Sequence, residues 1–320
     1  MSKTLIEGAD LTRRALHGAT MGTRYSAIIL APPGLDTGPL DAALFMAVDR
    51  VDRQMSTWNP GSDLMRLNQE PPGSWLPLPH DLLSVLRVAL EIGVKSGGLF
   101  DIAVGDLVGA WGFGRQGRTP DTARIAALAA ARRRPAQECV ELDLAGRRGR
   151  RLGAGQLDLS GIAKGYAVDR MIECLEGFGI ERALVSLDGE LRAVGLNADD
   201  RPWSVAVERP DHGAREPMGV IELQDVAVAT SGDYRHWVSV GGSRLSHTMD
   251  PRRGGPARNR VASVTVVHPL CVRADAWATA LMVAGEDAGP ALARERGLNA
   301  LFALRDGPEL RQIGVGPMFG

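Results

Sequence analysis

Short β-like segments follow one another through the second half of the chain, and they constrain the fold more than any other feature. From Ala183 onward, β-branched and apolar runs recur between turn residues, and only one helical pattern, near 274–283, interrupts them. The runs read ALVSL, WSVAV, MGVIEL, VAVAT, HWVSV, VASVTVV and, near the end, LNALFAL. Strands that succeed one another without crossover helices pair antiparallel. The sequence therefore predicts an α+β fold with a mostly antiparallel sheet and packed helices, and not a doubly wound parallel sheet.

Helical patterns dominate the first half of the chain. Apolar residues between Leu40 and Met55 recur at intervals of three and four, which predicts an amphipathic helix. Capping and terminating residues predict further helices at 81–95, 120–134 and 161–179, and alternation predicts a first strand at 21–31. Residues 1–20 are polar and mixed, so we expect an N-terminal extension followed by one domain at 21–320, with a weakly marked subdomain boundary near residue 135.

The charge balance excludes several classes of function. The chain has 320 residues, with 37 Lys and Arg against 38 Asp and Glu, which gives a formal net charge of −1. This balance provides no basic field for nucleic acid, and no apolar run approaches the roughly 18 residues of a membrane-spanning helix. The N-terminal sequence lacks the apolar run of a signal peptide. We therefore expect a cytoplasmic protein with no nucleic-acid partner and no membrane span.

Asp275 and Thr279 form a candidate metal half-site. They lie four residues apart in a helical pattern, so both side chains project from the same helix face. A carboxylate beside a hydroxyl supplies the hard oxygen ligands that Mg²⁺ prefers. The structural alternative is an aspartate near a helix start and a threonine bonded to its own backbone.

The segment LDLSGIAKGYAVD, residues 157–169, is a candidate phosphate site. Asp158 ends a predicted strand, Ser160 and Gly161 turn the chain, and Lys164 follows on the first turn of the next helix. Backbone N–H groups at a helix start, together with a lysine, can receive phosphate groups. The alternative is a capped helix with a solvated lysine.

Two further sets of residues are candidates for catalysis and ring binding. His247 precedes the tight turn of SHTMDPRRGGP, where it could act as a general base near neutral pH, although a surface histidine is the common outcome. Trp58, and the pair Phe100 and Asp101, could form a flat slot for a planar ligand, although Trp and Phe are core residues by default.

Taken in order, these segments resemble the ApbE family of FAD:protein FMN transferases. The landmark segments begin at Met21, Ser56, Gly97, Leu157, Ala229, Ser246 and Ala274. They read MGT, STWNPGSDLMRLN, GGLFDIAVGDLVGAWGFG, LDLSGIAKGYAVD, ATSGDYRHW, SHTMDPRRGG and ADAWATALMVAG. The resemblance covers most of the chain, from about residue 21 to 285, and implies a T-fold-like α+β architecture.

The resemblance also implies roles for particular residues. Asp275 and Thr279 match the side-chain ligands of Mg²⁺, Gly161 matches a carbonyl ligand, and Ala278 lies beside that site. The positions that match the lining of the FAD site are Met21, Trp58, Leu99, Phe100, Asp101, Asp158 and Lys164, with Met249 at or near another flavin contact. His247 matches a histidine tied to activity; our hypothesis is that it takes the proton of the acceptor hydroxyl and that Asp250 orients or supports it.

The implied reaction is a Mg²⁺-dependent transfer of FMN from FAD to a Thr or Ser hydroxyl of a client protein, with AMP leaving. One departure bears on the site, because the family reads approximately N-x-G-G-D where this chain has Ser186, Leu187, Asp188, Gly189 and Glu190. Two alternatives stay open at this point. The protein could hydrolyse FAD to FMN and AMP, or it could bind FAD without turnover.

Overall fold

An antiparallel sheet of eight strands forms the frame of the fold. The computed structural model describes residues 11–320, except for residues 116, 118, 132, 212–215, 235, 236, 241, 242 and 308. The strands of this sheet lie side by side in the same order as they occur along the chain, and every neighbouring pair is antiparallel. The late strands that the sequence predicts therefore do pair without parallel crossovers.

Within the described residues, the helices are α1 (Gly38–Met55), α2 (Asp63–Gln69), α3 (His80–Lys95), α4 (Gly105–Ala110), α5 (Thr122–Ala130), α6 (Ala136–Cys139), α7 (Ala163–Gly177) and α8 (Cys271–Glu295). The strands of the main sheet are β1 (Thr12–Thr20), β2 (Thr23–Ala31), β6 (Ala183–Leu187), β7 (Glu190–Val194), β10 (Ala227–Gly232), β15 (Val261–His268), β16 (Asn299–Asp306) and β17 (Glu309–Val315). Smaller pairings join β3 (Leu76–Pro77), β4 (Val140–Asp143) and β5 (Arg148–Arg151), then β8 (Trp203–Glu208) and β9 (Pro217–Leu223), β11 (Trp237–Val240) and β12 (Ser243–Ser246), and β13 (Met249–Asp250) and β14 (Gly255–Pro256).

Helices α1, α7 and α8 cover one face of the sheet and enclose the main core. Leu44 and Val48 of α1 are fully buried, as the helical spacing predicts, and they pack in one cluster with Ile172 of α7 and Leu281 of α8. A smaller apolar cluster lies around Trp203 and Leu223 of the β8–β9 pair. This layering holds α7 and α8 against each other over the centre of the sheet.

The first strand begins earlier than the sequence indicates. Thr12–Thr20, which we assigned to an extension, forms the edge strand β1 and pairs along its length with β2. Met21 and Gly22 form the turn between them, both with positive φ (48° and 72°). The segment TRRALHGAT lacks an apolar alternation because an edge strand exposes most of its side chains to water.

The subdomain boundary that the sequence indicates near residue 135 stays a prediction.

Helix α8 is the longest element and is interrupted at Gly285, where φ is 84° and ψ is −174°. Arg273 near its start forms two hydrogen bonds with Glu91 of α3, at 3.0 and 2.8 Å. That pairing, followed by the hydrogen bond from Lys95, lowers the pKa of the Glu91 carboxyl to about 2. In the part of the chain that the structure describes, no helix combines the length and the apolar character needed to cross a bilayer.

Gly165 allows α7 and α8 to approach closely. A Cβ at this position would lie 2.4 Å from the carbonyl oxygen of Cys271 and 2.8 Å from the Cβ of Asp275. We expect Gly165→Ala to lower the free energy of unfolding by about 1–3 kcal/mol, because the added methyl group forces the helices apart. The matched control is Gly177→Ala at the exposed end of α7, where nothing lies within 4 Å, and it should raise stability by about 0.5–1 kcal/mol. Urea unfolding measures both, and equal effects of the two variants would contradict the argument.

His268 gives the fold a pH dependence at the junction between β15 and α8. Its Nδ1 accepts the backbone N–H of Leu270 at 3.0 Å. Burial, and then the nearby Arg273, lowers the pKa of His268 from 6.5 to about 4. Between these values the unfolded chain binds a proton that the folded chain does not, so this group reduces stability as the pH falls from 6.5 towards 4.

We expect His268→Asn to remove this contribution, since an asparagine amide oxygen can accept the same N–H. Between about pH 7.5 and pH 5, the difference in unfolding free energy between variant and parent should move in favour of the variant by about 1–2 kcal/mol. Chemical denaturation at the two pH values measures it. A constant difference at both pH values would contradict the assignment.

Candidate active site

The crossing of α7 and α8 brings the two candidate motifs together. The Gly165 N–H donates to Oδ2 of Asp275 at 3.0 Å, which fixes the carboxylate against the first turn of α7. Thr279, one turn further along α8, lies so close to Gly161 that a Cβ there would be 2.9 Å from its Oγ1. The predicted shared face of Asp275 and Thr279 therefore points to the turn that precedes α7.

A cavity of about 380 Å³ opens at this crossing. Ten of the residues singled out from the sequence line it: Leu99, Phe100, Asp101, Asp158, Gly161, Lys164, His247, Met249, Asp275 and Thr279. The other four, Met21, Trp58, Asp250 and Ala278, do not appear in its lining. Because the lining residues come from segments far apart in the chain, this cavity is the candidate site.

Lys164 lies between two carboxylates in the wall of the cavity. Its Nζ is 3.0 Å from Oε1 of Glu190 and 3.2 Å from Oδ2 of Asp188. Burial lowers the pKa of the Lys164 ammonium, but the negative charges of Glu190, Asp275 and Asp188 raise it by more, so the net shift is upward. Lys164 therefore carries its positive charge throughout the neutral range.

Asp275 is a buried acid, with 4% of its surface exposed. Burial raises the pKa of its carboxyl to about 7, and the adjacent Glu190 adds to this rise, whereas Lys164 and the Gly165 N–H oppose it. Burial also raises the pKa of Glu190, against the effect of Lys164. A buried carboxylate with this environment gains from a cation beside it.

The segment between α3 and α4 forms another wall. Phe100 is 5% exposed, and its N–H donates to Oγ of Ser96. Oδ1 of Asp101 accepts the N–H groups of Ala103 and Ala136, at 2.8 and 3.1 Å, which ties the wall to the start of α6. The Asp158 N–H donates to the Ile102 carbonyl at 2.8 Å, and Oδ1 of Asp158 accepts the Ser160 N–H at 2.7 Å and shapes the turn before α7.

His247 lies in the connection between β12 and β13, and its side chain reaches the cavity. Its ring meets that of Phe113 edge-on, with centroids 6.2 Å apart. Oγ of Ser246 accepts the Thr248 N–H at 3.1 Å and so orders the turn that carries the histidine. The carboxylate of Asp250 is bonded to Arg252, through its backbone N–H at 2.9 Å and its guanidinium at 3.1 and 3.2 Å.

Besides Asp250, three predicted residues lie apart from the cavity lining, for different reasons. Trp58 is 61% exposed on the loop between α1 and α2. Met21 sits in the β1–β2 turn and packs at the margin of the main core. Ala278 is fully buried and directly precedes Thr279 in α8.

Several polar residues of the cavity lie outside the predicted set of site residues. Glu190 is 2% exposed and contacts Lys164, and Ser231 bonds Thr279 Oγ1 at 3.1 Å. Thr230 and Thr265 share a hydroxyl contact of 2.8 Å on the neighbouring strands. In the sequence, the only sign of a role for Glu190 is that it and Asp188 place two acidic residues on either side of Gly189. No local pattern marks the hydroxyl groups, since β10, β15 and α8 meet only in the folded chain.

The donor set fits a small hard cation that shares its ligands with other groups. Among the described residues, no group of three or more His, Cys, Asp or Glu side chains is arranged to hold a metal ion. The site instead offers the Asp275 carboxylate, the Thr279 hydroxyl and the backbone near Gly161. Mg²⁺ commonly takes one or two carboxylates and completes its shell with phosphate and water.

Comparison with known proteins decides the family. A family model described as the ApbE family matches residues 21–302. The chain belongs to the ApbE family. Curated relatives named FAD:protein FMN transferase include one from Vibrio cholerae, 36% identical over 311 residues, covering 95% of this chain and 92% of the relative. Another, from Klebsiella pneumoniae, is 33% identical over 316 residues and covers 95% of this chain and 90% of the relative.

Solved structures of ApbE proteins have the same fold. The flavin transferase ApbE from Vibrio cholerae matches with a TM-score of 0.85 at 34% identity, over 97% of this chain and 98% of that chain. The apo form of the Pseudomonas stutzeri flavinyl transferase ApbE matches with a TM-score of 0.84 at 35% identity, over 95% of both chains. These matches confirm the predicted α+β class, the ApbE resemblance and the expected enzyme class.

Proposed function

We propose that this ApbE-family chain transfers FMN from FAD to a Thr or Ser hydroxyl of a client protein, depends on Mg²⁺ and releases AMP. The observation that carries the proposal is the meeting of Asp275, Thr279, Lys164 and His247 in one cavity. The names of the curated relatives support FAD as donor and a protein as acceptor.

The metal position in this proposal is the end of the cavity formed by α8 and the turn before α7. Asp275, Thr279 and the Gly161 carbonyl would hold Mg²⁺ there. When bound, the ion offsets the charge of the FAD diphosphate and stabilises charge that gathers on the leaving phosphate. Gly165 fixes one carboxylate oxygen of Asp275, and the other oxygen is the one assigned to the ion.

Lys164 would hold the diphosphate from the opposite side. Its ammonium carries three N–H donors, of which two face Glu190 and Asp188. The third is available for a phosphate oxygen. A compact positive charge fixed by a buried carboxylate loses little freedom when the phosphate arrives.

The rings of FAD need flat apolar walls with a few polar anchors. Leu99, Phe100 and Met249 provide buried apolar surface in the cavity wall. Trp58 stays a proposed flavin contact, with an exposed side chain on the loop between α1 and α2. Met21, Asp101 and Asp158 would support the walls through their turns and backbone hydrogen bonds.

His247 is the proposed general base. It would take the proton of the acceptor hydroxyl, because an unactivated hydroxyl is a weak nucleophile. Asp250 would support it indirectly, since its bonds to Arg252 hold the turn that follows β13. With its proton removed, the client oxygen would attack the phosphorus of the FMN half of FAD. The bond between that phosphorus and the bridging oxygen would break, and the bridging oxygen would leave with AMP.

Mass spectrometry of a candidate flavoprotein incubated with this protein, FAD and Mg²⁺ tests the proposal. A covalent mass gain equal to FMN minus one water on the client, matched by AMP release and abolished when the acceptor Thr is replaced by Val, supports it. AMP release that is unaffected by the client would instead identify a hydrolase. Bound intact FAD without AMP under both conditions would identify a binding protein.

A further inference from the structure

Asp188 is a charged residue in the cavity wall for which the proposed reaction has no use. It occupies the two-residue turn between β6 and β7. Its φ of 58° is in the left-handed region that favours glycine, the residue that the family pattern has here. Aspartate is one of the few other residues that adopt this conformation, so the turn accommodates the charged side chain where the pattern has glycine.

The Asp188 carboxylate lies where an entering diphosphate would meet Lys164. Oδ2 is 3.2 Å from the lysine Nζ, and the side chains of both residues are 28% exposed. Glu190, on the other side of the ammonium, is a buried partner with a side chain that is only 3% exposed. Asp188 is therefore the partner of Lys164 that faces the solvent side of the cavity.

The charges around Lys164 oppose an anionic ligand. Asp188, Glu190 and Asp275 are three acidic side chains that act on one ammonium group. A diphosphate that approaches this group alone meets both competition for the lysine and repulsion from Asp188. A divalent cation beside Asp275 removes most of this opposition, because it offsets acid and phosphate charge together.

We propose that Asp188 is a specificity-determining residue that makes binding of the dinucleotide dependent on a divalent cation. This inference rests on the proposed function, because it takes FAD as the ligand of the cavity. In the free enzyme Asp188 holds Lys164 and lowers the affinity for FAD without metal. With the metal present, Asp188 lowers the affinity for FAD only slightly. The enzyme therefore binds FAD mainly together with the divalent cation that the proposed reaction needs.

FAD binding to Asp188→Asn tests this inference, since asparagine tolerates the left-handed backbone and removes only the charge. By flavin fluorescence in EDTA, we expect the variant to bind FAD about tenfold more tightly than the parent, equivalent to about 1.4 kcal/mol. With saturating Mg²⁺ the difference should fall below about threefold, and added salt should also reduce it. In turnover, which is measured with saturating Mg²⁺, the KM for FAD should therefore differ from that of the parent by less than about threefold.

Asp200→Asn is the matched control. Asp200 also has a positive φ, 54°, and pairs with a basic residue, Arg182, at 2.8 Å, but it is 77% exposed and lies outside the cavity lining. It should leave FAD affinity unchanged. Asp188→Gly provides a second charge-free variant in the backbone conformation that glycine prefers, in case the asparagine variant folds poorly.

The outcomes separate this inference from the proposed function. Unchanged or weaker FAD binding by Asp188→Asn in EDTA, or an equal gain in Asp200→Asn, would overturn the role of Asp188 while leaving the transferase proposal intact. Failure of the parent and all variants to bind FAD with Mg²⁺ would overturn both.

Discussion

Asp275→Asn is expected to lower kcat/KM for FMN transfer at least a hundredfold while the protein remains folded. The amide oxygen of asparagine can still accept the Gly165 N–H, so the α7–α8 contact is retained. The substitution removes only the negative charge that would hold Mg²⁺. The stabilisation of transition-state charge by a bound metal ion is worth several kcal/mol. Binding of Mn²⁺, followed by electron paramagnetic resonance as a stand-in for Mg²⁺, should weaken at least tenfold.

The stability of the same variant gives a second test. Asp275 is 4% exposed and its pKa is raised to about 7, so its ionisation opposes folding as the pH rises through that value. The asparagine variant should therefore unfold at an equal or higher temperature than the parent above pH 7. Full activity of the variant in the presence of a chelator would contradict the metal assignment.

Asp169→Asn is the matched control for Asp275→Asn. Asp169 is also buried and also connects α7 to α8, since it accepts the N–H groups of Cys271 and Val272 at 3.0 and 2.9 Å. It pairs with Arg192 as well. Its loss should reduce stability by about 1–3 kcal/mol without weakening Mn²⁺ binding. Above pH 7, Asp169→Asn should thus lower the stability of the protein, whereas Asp275→Asn should leave it unchanged or raise it.

His247→Ala is expected to reduce kcat for FMN transfer by a factor of about 10²–10⁴, the usual contribution of a general base. FAD binding should stay within about threefold of the parent, because the histidine acts on the client hydroxyl and not on the diphosphate. Single-turnover transfer with saturating FAD and Mg²⁺ measures the chemical step separately from binding.

The control for this variant is His17→Ala, which removes an exposed histidine on the edge strand β1. It should transfer FMN at the parental rate. Partial recovery of His247→Ala by added imidazole would identify a lost proton acceptor and not a lost structural contact. If His247→Ala transferred FMN within about threefold of the parent, the role of general base would be abandoned.

The fold could be predicted where local patterns and packing agree. The spacing of Leu44 and Val48 predicts the buried face of α1, and both residues are fully buried. The late strands pair antiparallel as their succession predicts. Strand β1 was missed because its sequence, with Arg13 and Arg14 exposed to water, has no apolar alternation. Its place is determined by pairing with β2 and not by local preference.

The candidate site could be predicted only in parts. Four-residue spacing placed Asp275 and Thr279 on one face of a helix, and the cavity includes both. What the spacing could not predict is that Gly165 lets α7 approach that face, or that Glu190 reaches Lys164 from the next hairpin. Those contacts join residues 26 and 110 positions apart, so they depend on topology.

A crystal structure of the protein with FAD and Mg²⁺ tests the central claim most directly. The account predicts the ion between the diphosphate and the side chains of Asp275 and Thr279, with Lys164 on the other side of the same phosphates. A well-ordered diphosphate bound elsewhere, with those two side chains turned away from it, would contradict the account.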